Sequence, residues 1–142
     1  MLLLSTRIFL IASSYLIQSY SDKVRITAPN IANKCNVNSR ALMPALRRLT
    51  QAGILKSQTG GREPGFMFAR DPAKITISDI IIALEGETQM LSCREIIEDI
   101  NCKIEKCENC KMYKIFKNRI ETTDKDLKNT SLKDYNKNAT KN

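Results

Sequence analysis

The sequence contains no histidine, and this absence excludes several kinds of chemistry. Histidine is a common general base, it activates serine and cysteine nucleophiles, and it is a frequent metal ligand. Enzymes that depend on a serine–histidine or cysteine–histidine pair are therefore excluded, and we expect a protein that is not an enzyme. Any bound metal must use cysteine, carboxylate or exogenous ligands.

Acidic residues are scarce in the first half of the chain. Residues 1–70 contain ten lysines and arginines but only two acidic residues, whereas residues 71–142 contain thirteen of each. The whole net charge of +8 therefore belongs to the first half. Positive charge concentrated in this way indicates a polyanionic partner, most simply double-stranded DNA.

The sequence also lacks a recognisable signal peptide or membrane-spanning segment. Residues 1–20 are apolar, but Arg7 interrupts the run, which has neither a basic n-region nor a small-residue cleavage site. The run is too short and too polar to span a bilayer. We therefore expect no membrane partner, a cytoplasmic location, and a half-buried first helix in this region.

The segment from Asn38 to Ala52 is predicted to be a helix with one apolar face. That face is formed by residues at positions i, i+4 and i+7, namely Leu42, Leu46 and Leu49. Gly53 is expected to end the helix, because glycine adopts the left-handed conformation readily. Pro44 lies inside the helix and predicts either a kink or a regular part that begins only near Leu42.

A β-hairpin is predicted to follow this helix. Its strands are Ile54–Ser57 and Phe66–Ala69, and the glycine-rich loop between them has Arg62 near its tip. A basic helix before a basic-tipped hairpin is typical of a winged helix-turn-helix, which is a mainly α (α+β) fold whose two-stranded wing lies beside the DNA backbone or minor groove. The alternative is a small helix-plus-hairpin domain without a DNA-binding role. The candidate DNA-binding residues are Asn38, Ser39, Arg40, Arg47, Arg48 and Arg62.

Two further helices are predicted after the hairpin. A capping box at Thr76 and Asp79 predicts a short helix that ends at Gly86. The long helix Met112–Leu127 carries an apolar seam with heptad spacing, which is typical of a dimer contact, and the alternative is packing against its own domain. The seam consists of Tyr113, Phe116, Ile120, Thr123 and Leu127. From Asn129 the chain is polar and is predicted to be flexible.

Four of the five cysteines fall within eighteen positions, between the two predicted helices. They are Cys93, Cys102, Cys107 and Cys110. Clustered cysteines without a secretion signal indicate a reducing compartment and metal or redox chemistry. Four thiolates can hold zinc or an iron–sulfur cluster, and the Cys107-x-x-Cys110 pair is also compatible with a thiol–disulfide oxidoreductase. The fifth, Cys35, is predicted to pack in the core.

Four motifs occur in an order that is typical of a known family. They are Leu46-x-x-Leu49-x-x-Ala52-Gly53-Ile54-Leu55-x-Ser57, the wing end Phe66-x-x-Ala69-Arg70, Ile75-Thr76-Ile77-x-Asp79-Ile80-x-x-Ala83-Leu84-Glu85-Gly86, and Thr130-Ser131-Leu132-Lys133-Asp134. In this order the chain resembles the Rrf2 family of bacterial winged-helix transcription regulators, which includes the iron–sulfur cluster regulator and the nitric-oxide-sensing repressor. The resemblance extends from about Leu4 to Tyr135.

The resemblance implies a transcription regulator that forms a homodimer through the long helix and binds an inverted-repeat operator. We expect a repressor, although the sequence does not distinguish a repressor from an activator. It also implies a [2Fe–2S] or [4Fe–4S] cluster on three cysteines and a variable fourth ligand. Cys93 and Cys110 match the first and last of these cysteines, and Cys102 or Cys107 matches the middle one. The chain departs from the family in its extra cysteine, its lack of histidine and its shorter glycine run in the wing. The open alternatives are a cluster-free regulator controlled by a protein partner or by thiol oxidation, and an interaction protein that does not bind DNA.

The predicted organisation has four parts. Residues 1–86 form the DNA-binding domain, residues 87–110 form a cysteine-bearing sensor segment, residues 111–128 form the dimerisation helix, and residues 129–142 form a polar flexible tail. A change at the sensor segment is expected to tilt one DNA-binding domain relative to the other. Because half-sites lie about 34 Å apart, a small tilt can abolish simultaneous docking of both domains.

Overall fold

The computed structural model describes residues 2–87 and 100–139, so the predicted ligand Cys93 lies outside the described residues. The described residues form six α-helices and a two-stranded antiparallel sheet, which confirms the mainly α winged helix-turn-helix fold. The helices are α1 (Leu4–Ser21), α2 (Ala28–Cys35), α3 (Ser39–Gln51), α4 (Ile77–Glu85), α5 (Lys111–Asn129) and α6 (Leu132–Ala139). The strands are β1 (Leu55–Gln58) and β2 (Gly65–Phe68), and short 3₁₀ turns cover Pro72–Lys74 and Cys107–Asn109.

The ends of α3 and α4 follow from local capping. The Asn38 side chain accepts a hydrogen bond from the Arg40 amide at 2.8 Å, so α3 is regular from Ser39 onward and the alternative of a start near Leu42 is wrong. Gly53 follows with a φ of +74°, as predicted for a residue just past the helix. The predicted capping box at the start of α4 is confirmed in both of its hydrogen bonds.

The core joins α1, α2 and α3 to the sheet and to α4. The leucine face of α3 is completely buried, as the sequence predicted. Other fully buried large side chains come from every neighbouring element, namely Phe9, Leu16, Ile31, Phe68, Ile75 and Ile80. This packing fixes the opposite face of α3 toward the outside, and Cys35 packs half-buried against the same core. Burial raises the pKa of the Cys35 thiol, which favours its neutral form.

The wing is held to the start of α2 by backbone hydrogen bonds. Strands β1 and β2 pair in register from Leu55 with Phe68 to Gln58 with Gly65. Phe66 also pairs with Ile26 through two bonds of 2.9 and 3.0 Å, so β2 lies between β1 and the segment before α2. Ile26 is therefore a single bridge residue that positions the wing beside the helix-turn-helix.

The prediction of a flexible tail from Asn129 differs from the structure over residues 130–137. Leu132 is fully buried, and its amide donates to the Ile75 carbonyl at 2.8 Å. The Ile77 amide donates to the Thr130 carbonyl at 2.9 Å, so the chain pairs with the segment before α4. Helix α6 then continues across the core, where the Asn136 amide donates to Ser13 at 3.1 Å. A buried leucine, a backbone pairing and the Asn136 contact together attach this polar sequence to the rest of the domain.

Candidate nucleic-acid interface

An exposed stripe runs along α3 on the side opposite its buried leucines. The four residues of this stripe are Arg40, Pro44, Arg47 and Gln51, and all four are exposed. Because a helix turns 100° per residue, Arg40 and Arg47 share one face and lie about 10 Å apart along the axis, or about three base-pair steps. Pro44, in the middle of the stripe, has no side-chain donor. The side-chain donors of the stripe therefore come from the residues on either side of it.

The two other residues predicted at the start of α3 are Asn38 and Ser39. Asn38 is exposed, but its side-chain oxygen already accepts a hydrogen bond in the helix cap. Ser39 is half-buried. Both residues lie at the end of α3 where backbone amides carry partial positive charge, which favours a phosphate over a base edge.

Arg48 differs from its neighbour Arg47 in what it contacts. Its guanidinium Nη1 donates a hydrogen bond of 2.7 Å to the Leu84 carbonyl at the end of α4. One residue along the helix turns the side chain by about 100°, so Arg48 leaves the exposed stripe and reaches toward α4. Of the three arginines predicted on this helix, Arg40 and Arg47 share the exposed face and Arg48 has a partner within the protein.

The wing presents Arg62 at its tip. Residues 59–64 between the strands are exposed, and Gly60 and Gly61 have φ values of +74° and +76° that make the tight turn possible. Lys56 on β1 is a second exposed basic residue of the hairpin that the sequence analysis did not single out. A basic hairpin next to a basic helix suits a duplex, whose phosphates line both grooves.

The cysteines of the described part of the chain do not form a metal site by themselves. Cys107 and Cys110 occupy one 3₁₀ turn, in which the Cys110 amide donates to the Cys107 carbonyl at 2.9 Å. Cys102 is exposed in the segment before this turn. No three cysteine, aspartate or glutamate side chains of residues 2–87 and 100–139 are grouped so as to hold a metal ion.

The apolar residues of α5 divide between two surfaces. Ile120, Thr123 and Leu127 of the predicted seam line a groove with Leu2 and Ile81 of the same chain, and Leu127 also packs against the core. Phe116 is 51% exposed and lies beside two apolar residues that the seam prediction missed, Met112 at 55% and Ile115 at 57%. Ile115 and Phe116 follow Met112 by three and four positions, and this helical spacing was the signal in the sequence that could have predicted a shared face. We call Met112, Ile115 and Phe116 the exposed apolar patch.

None of the described helices is both long and apolar enough to cross a bilayer.

The fold is shared with solved regulators over nearly the whole chain. "T. potens IscR" superposes with a TM-score of 0.71 at 20% identity, covering 98% of this chain and 88% of that one. CymR (YrzC), the global cysteine regulator of B. subtilis, gives 0.71 at 22% identity and covers 94% of each chain.

A candidate transcriptional regulator from Listeria innocua gives a TM-score of 0.71 at 27% identity, covering 99% of this chain and 88% of that one. No match was found among curated proteins. The Rrf2 family model, described as an iron-dependent transcriptional regulator, matches residues 5–138. The family match identifies a transcription regulator and not an enzyme. The chain therefore belongs to the Rrf2 family of transcriptional regulators.

Proposed function

We propose that the protein is a DNA-binding repressor that acts as a homodimer on an inverted-repeat operator. The observation that carries this proposal is the exposed stripe of α3, on which Arg40 and Arg47 project away from the core. The confinement of the net charge to residues 1–70 supports it, because phosphate neutralisation supplies most of the affinity of such proteins. Arg62 in the wing adds a contact suited to a narrow minor groove.

In the expected complex, different parts of α3 contact different groups of the DNA. Arg40 and Arg47 would read guanine edges or phosphates in the major groove, since a guanidinium pairs well with guanine O6 and N7. The amide end of α3 near Asn38 and Ser39 would hold a phosphate. A single domain of this size makes few contacts, so two domains on two half-sites are needed for a specific complex.

Replacement of Arg40 by glutamine tests this assignment. We expect Arg40→Gln to lower the affinity for the operator roughly 10- to 150-fold and to relax the preference for one base pair per half-site. The measurement is fluorescence anisotropy on duplexes that the wild-type protein has selected from a random pool, repeated across a salt series. Lys125→Gln removes the same charge from the exposed side of α5 and is expected to leave the affinity unchanged.

The selection of duplexes from a random pool decides between a DNA-binding regulator and an interaction protein that does not bind DNA. A regulator enriches one inverted repeat, and its affinity falls steeply with salt because counterions are released. If the wild-type protein enriches no duplex at any salt concentration, the DNA-binding proposal is wrong. An interaction protein that controls another regulator would then be the better description.

We further propose that the cysteine-bearing segment senses iron–sulfur or redox status, through a cluster held by Cys93, Cys110 and Cys102 or Cys107. The family description as an iron-dependent regulator supports this, and so does the single turn that carries Cys107 and Cys110. No three such donors are grouped among the described residues, and the proposal includes Cys93, which lies outside them. A protein partner and thiol oxidation remain the alternative signals.

Anaerobic reconstitution separates these signals. We expect the wild-type protein to bind iron and to show visible charge-transfer absorption, and Cys110→Ser to lose most of both because a ligand is removed. Cys35→Ala changes a cysteine that packs against the core and is the matched control, with wild-type iron content. Iron-free, colourless wild-type protein under anaerobic conditions would contradict the cluster and favour control by a partner or by thiol oxidation.

A further inference from the structure

The contact of Arg48 with α4 is the feature that the proposed function leaves unexplained. Arg48 lies on the same basic helix as Arg40 and Arg47, and like them it is exposed as a residue. Its guanidinium nevertheless donates to the Leu84 carbonyl at 2.7 Å, in a partly buried hydrogen bond. A guanidinium that is bound within the protein has fewer donors for phosphate or base, and its direction is fixed by α4.

The Leu84 carbonyl is one of the last four carbonyl groups of α4. Such groups at the end of a helix have no hydrogen-bond donor within the helix itself. The same turn is closed by the Gly86 amide, which donates to the Ile82 carbonyl at 2.9 Å. A positive group at this end also complements the partial negative charge of the helix terminus. Arg48 therefore supplies the C-terminal cap of α4 from a neighbouring helix, in a charge-assisted bond that is stronger than a neutral one.

The last turn of α4 also holds α1. The Glu85 carboxylate accepts hydrogen bonds from the Leu3 amide and from the Thr6 hydroxyl, the latter at 3.1 Å. Through Leu84 and Glu85 this one turn is bonded to both α3 and α1. Beyond Gly86 the sequence continues toward the four clustered cysteines. The orientation of α3 is thus tied to the turn from which the sensor segment departs.

We infer that Arg48 is a positioning residue and not a DNA contact. By bonding the end of α4, it fixes the angle at which α3 presents Arg40 and Arg47 to the major groove. This inference rests on the proposed function, because it assigns to Arg48 a role in presenting the reading helix. It removes Arg48 from the set of predicted DNA-binding residues and gives it a different effect on operator recognition.

Arg48→Met tests the inference, because methionine keeps an aliphatic stem and removes both the charge and the donors. We expect operator affinity to fall roughly tenfold, because loss of one hydrogen bond to a charged group changes an equilibrium constant by about that factor. Affinity for a scrambled duplex and the dependence on salt are expected to match those of Lys125→Met, which removes the same charge elsewhere. Arg48→Met then weakens binding to the operator but not to the scrambled duplex. A purely structural role would not produce this selective loss.

A direct phosphate contact by Arg48 gives a different result in the same titrations. Affinities for operator and scrambled duplex would fall together, and the salt slope would decrease by about 0.9. Arg47→Met shows the size of that decrease for an arginine on the exposed stripe. Equal operator affinity of Arg48→Met and wild type, or a reduced salt slope, would each overturn the inference. Failure of the wild type to bind any duplex would instead contradict the proposed function.

Hydrogen exchange of the DNA-free protein tests the tether without relying on DNA. Removal of the cap is expected to loosen the last turn of α4, so the Gly86 amide exchanges faster in Arg48→Met than in the wild type. Arg47→Met, which alters the neighbouring arginine on the exposed stripe, is expected to exchange at the wild-type rate. An unchanged rate at Gly86 in Arg48→Met would overturn the inference, because α3 would then not be held through this bond.

Discussion

Gly65→Ala is expected to lower the free energy of unfolding by about 2–5 kcal/mol. Gly65 has a φ of +123°, a conformation that residues with a side chain rarely adopt. A Cβ at this position would lie 2.6 Å from the carbonyl carbon and oxygen of Ile26 and 2.8 Å from the Thr27 amide nitrogen. These are backbone atoms, which cannot move aside as the end of a flexible side chain can.

The damage from this change should reach the DNA-binding surface as well. Gly65 precedes Phe66, whose two hydrogen bonds with Ile26 attach the wing to the segment before α2. Thr27 is the residue that caps α2, and its side chain accepts from the Asn30 amide. Pushing β2 away therefore displaces the wing and weakens the start of α2 together. We expect the surviving folded protein to bind its operator more weakly than the wild type.

Gly60→Ala is the matched control for this prediction. Gly60 lies in the same hairpin with a φ of +74°, but a Cβ there meets nothing within 4 Å. Only the left-handed conformation is penalised, so we expect a loss of about 1 kcal/mol. The measurement is urea unfolding with a shift of the midpoint at constant m-value. Equal losses for the two variants would show that the contact with Ile26 does not limit the wing.

The parts of the fold that sequence analysis predicted correctly depend on local interactions. The boundaries of α3 agree within one residue because Asn38 caps it and Gly53 ends it. The capping box of α4 involves only residues three positions apart. Each predicted strand is displaced by one residue, because the register that pairs Leu55 with Phe68 and Gln58 with Gly65 is set between the strands and not within either one.

The features that sequence analysis missed all depend on contacts between distant segments. Leu132 follows a polar stretch, and its burial beside Ile75 could not be inferred from its neighbours. The role of Arg48 depends on where the Leu84 carbonyl lies, so an arginine with this partner cannot be told from a solvated one by spacing. The seam of α5 stays a prediction, and the structure adds that Ile120, Thr123 and Leu127 line a groove beside Ile81 of α4 whereas Phe116 lies with Met112 and Ile115 in the exposed apolar patch.

The exposed apolar patch of α5 bears on the proposed dimer. Phe116, Ile115 and Met112 are each more than half exposed on a helix of nineteen residues, about 28 Å long. No residue of α5 is fully buried, so the described part of the chain does not cover this patch. A second copy of the same helix is the occupant that we propose, because a two-fold contact brings the same patch from both chains together.

Phe116→Asp is expected to convert the protein to a monomer and to lower operator affinity at least hundredfold. The two-fold axis would place the new carboxylates near each other in an apolar contact, which opposes association. A monomer engages only one half-site, and loss of the second attachment removes about 10²- to 10⁴-fold of avidity. Sedimentation equilibrium measures the association, and fluorescence anisotropy on the selected duplex measures the affinity.

The fold itself should survive this substitution, because the Phe116 side chain is half exposed and is not part of the core cluster. Asn118→Asp adds the same charge to another exposed position of α5 and is expected to remain dimeric with wild-type affinity. Far-ultraviolet circular dichroism should be unchanged in both variants. If Phe116→Asp stays dimeric and binds its operator normally, α5 is not the dimer contact. Another surface would then have to bring the two Arg40 and Arg47 stripes onto one operator.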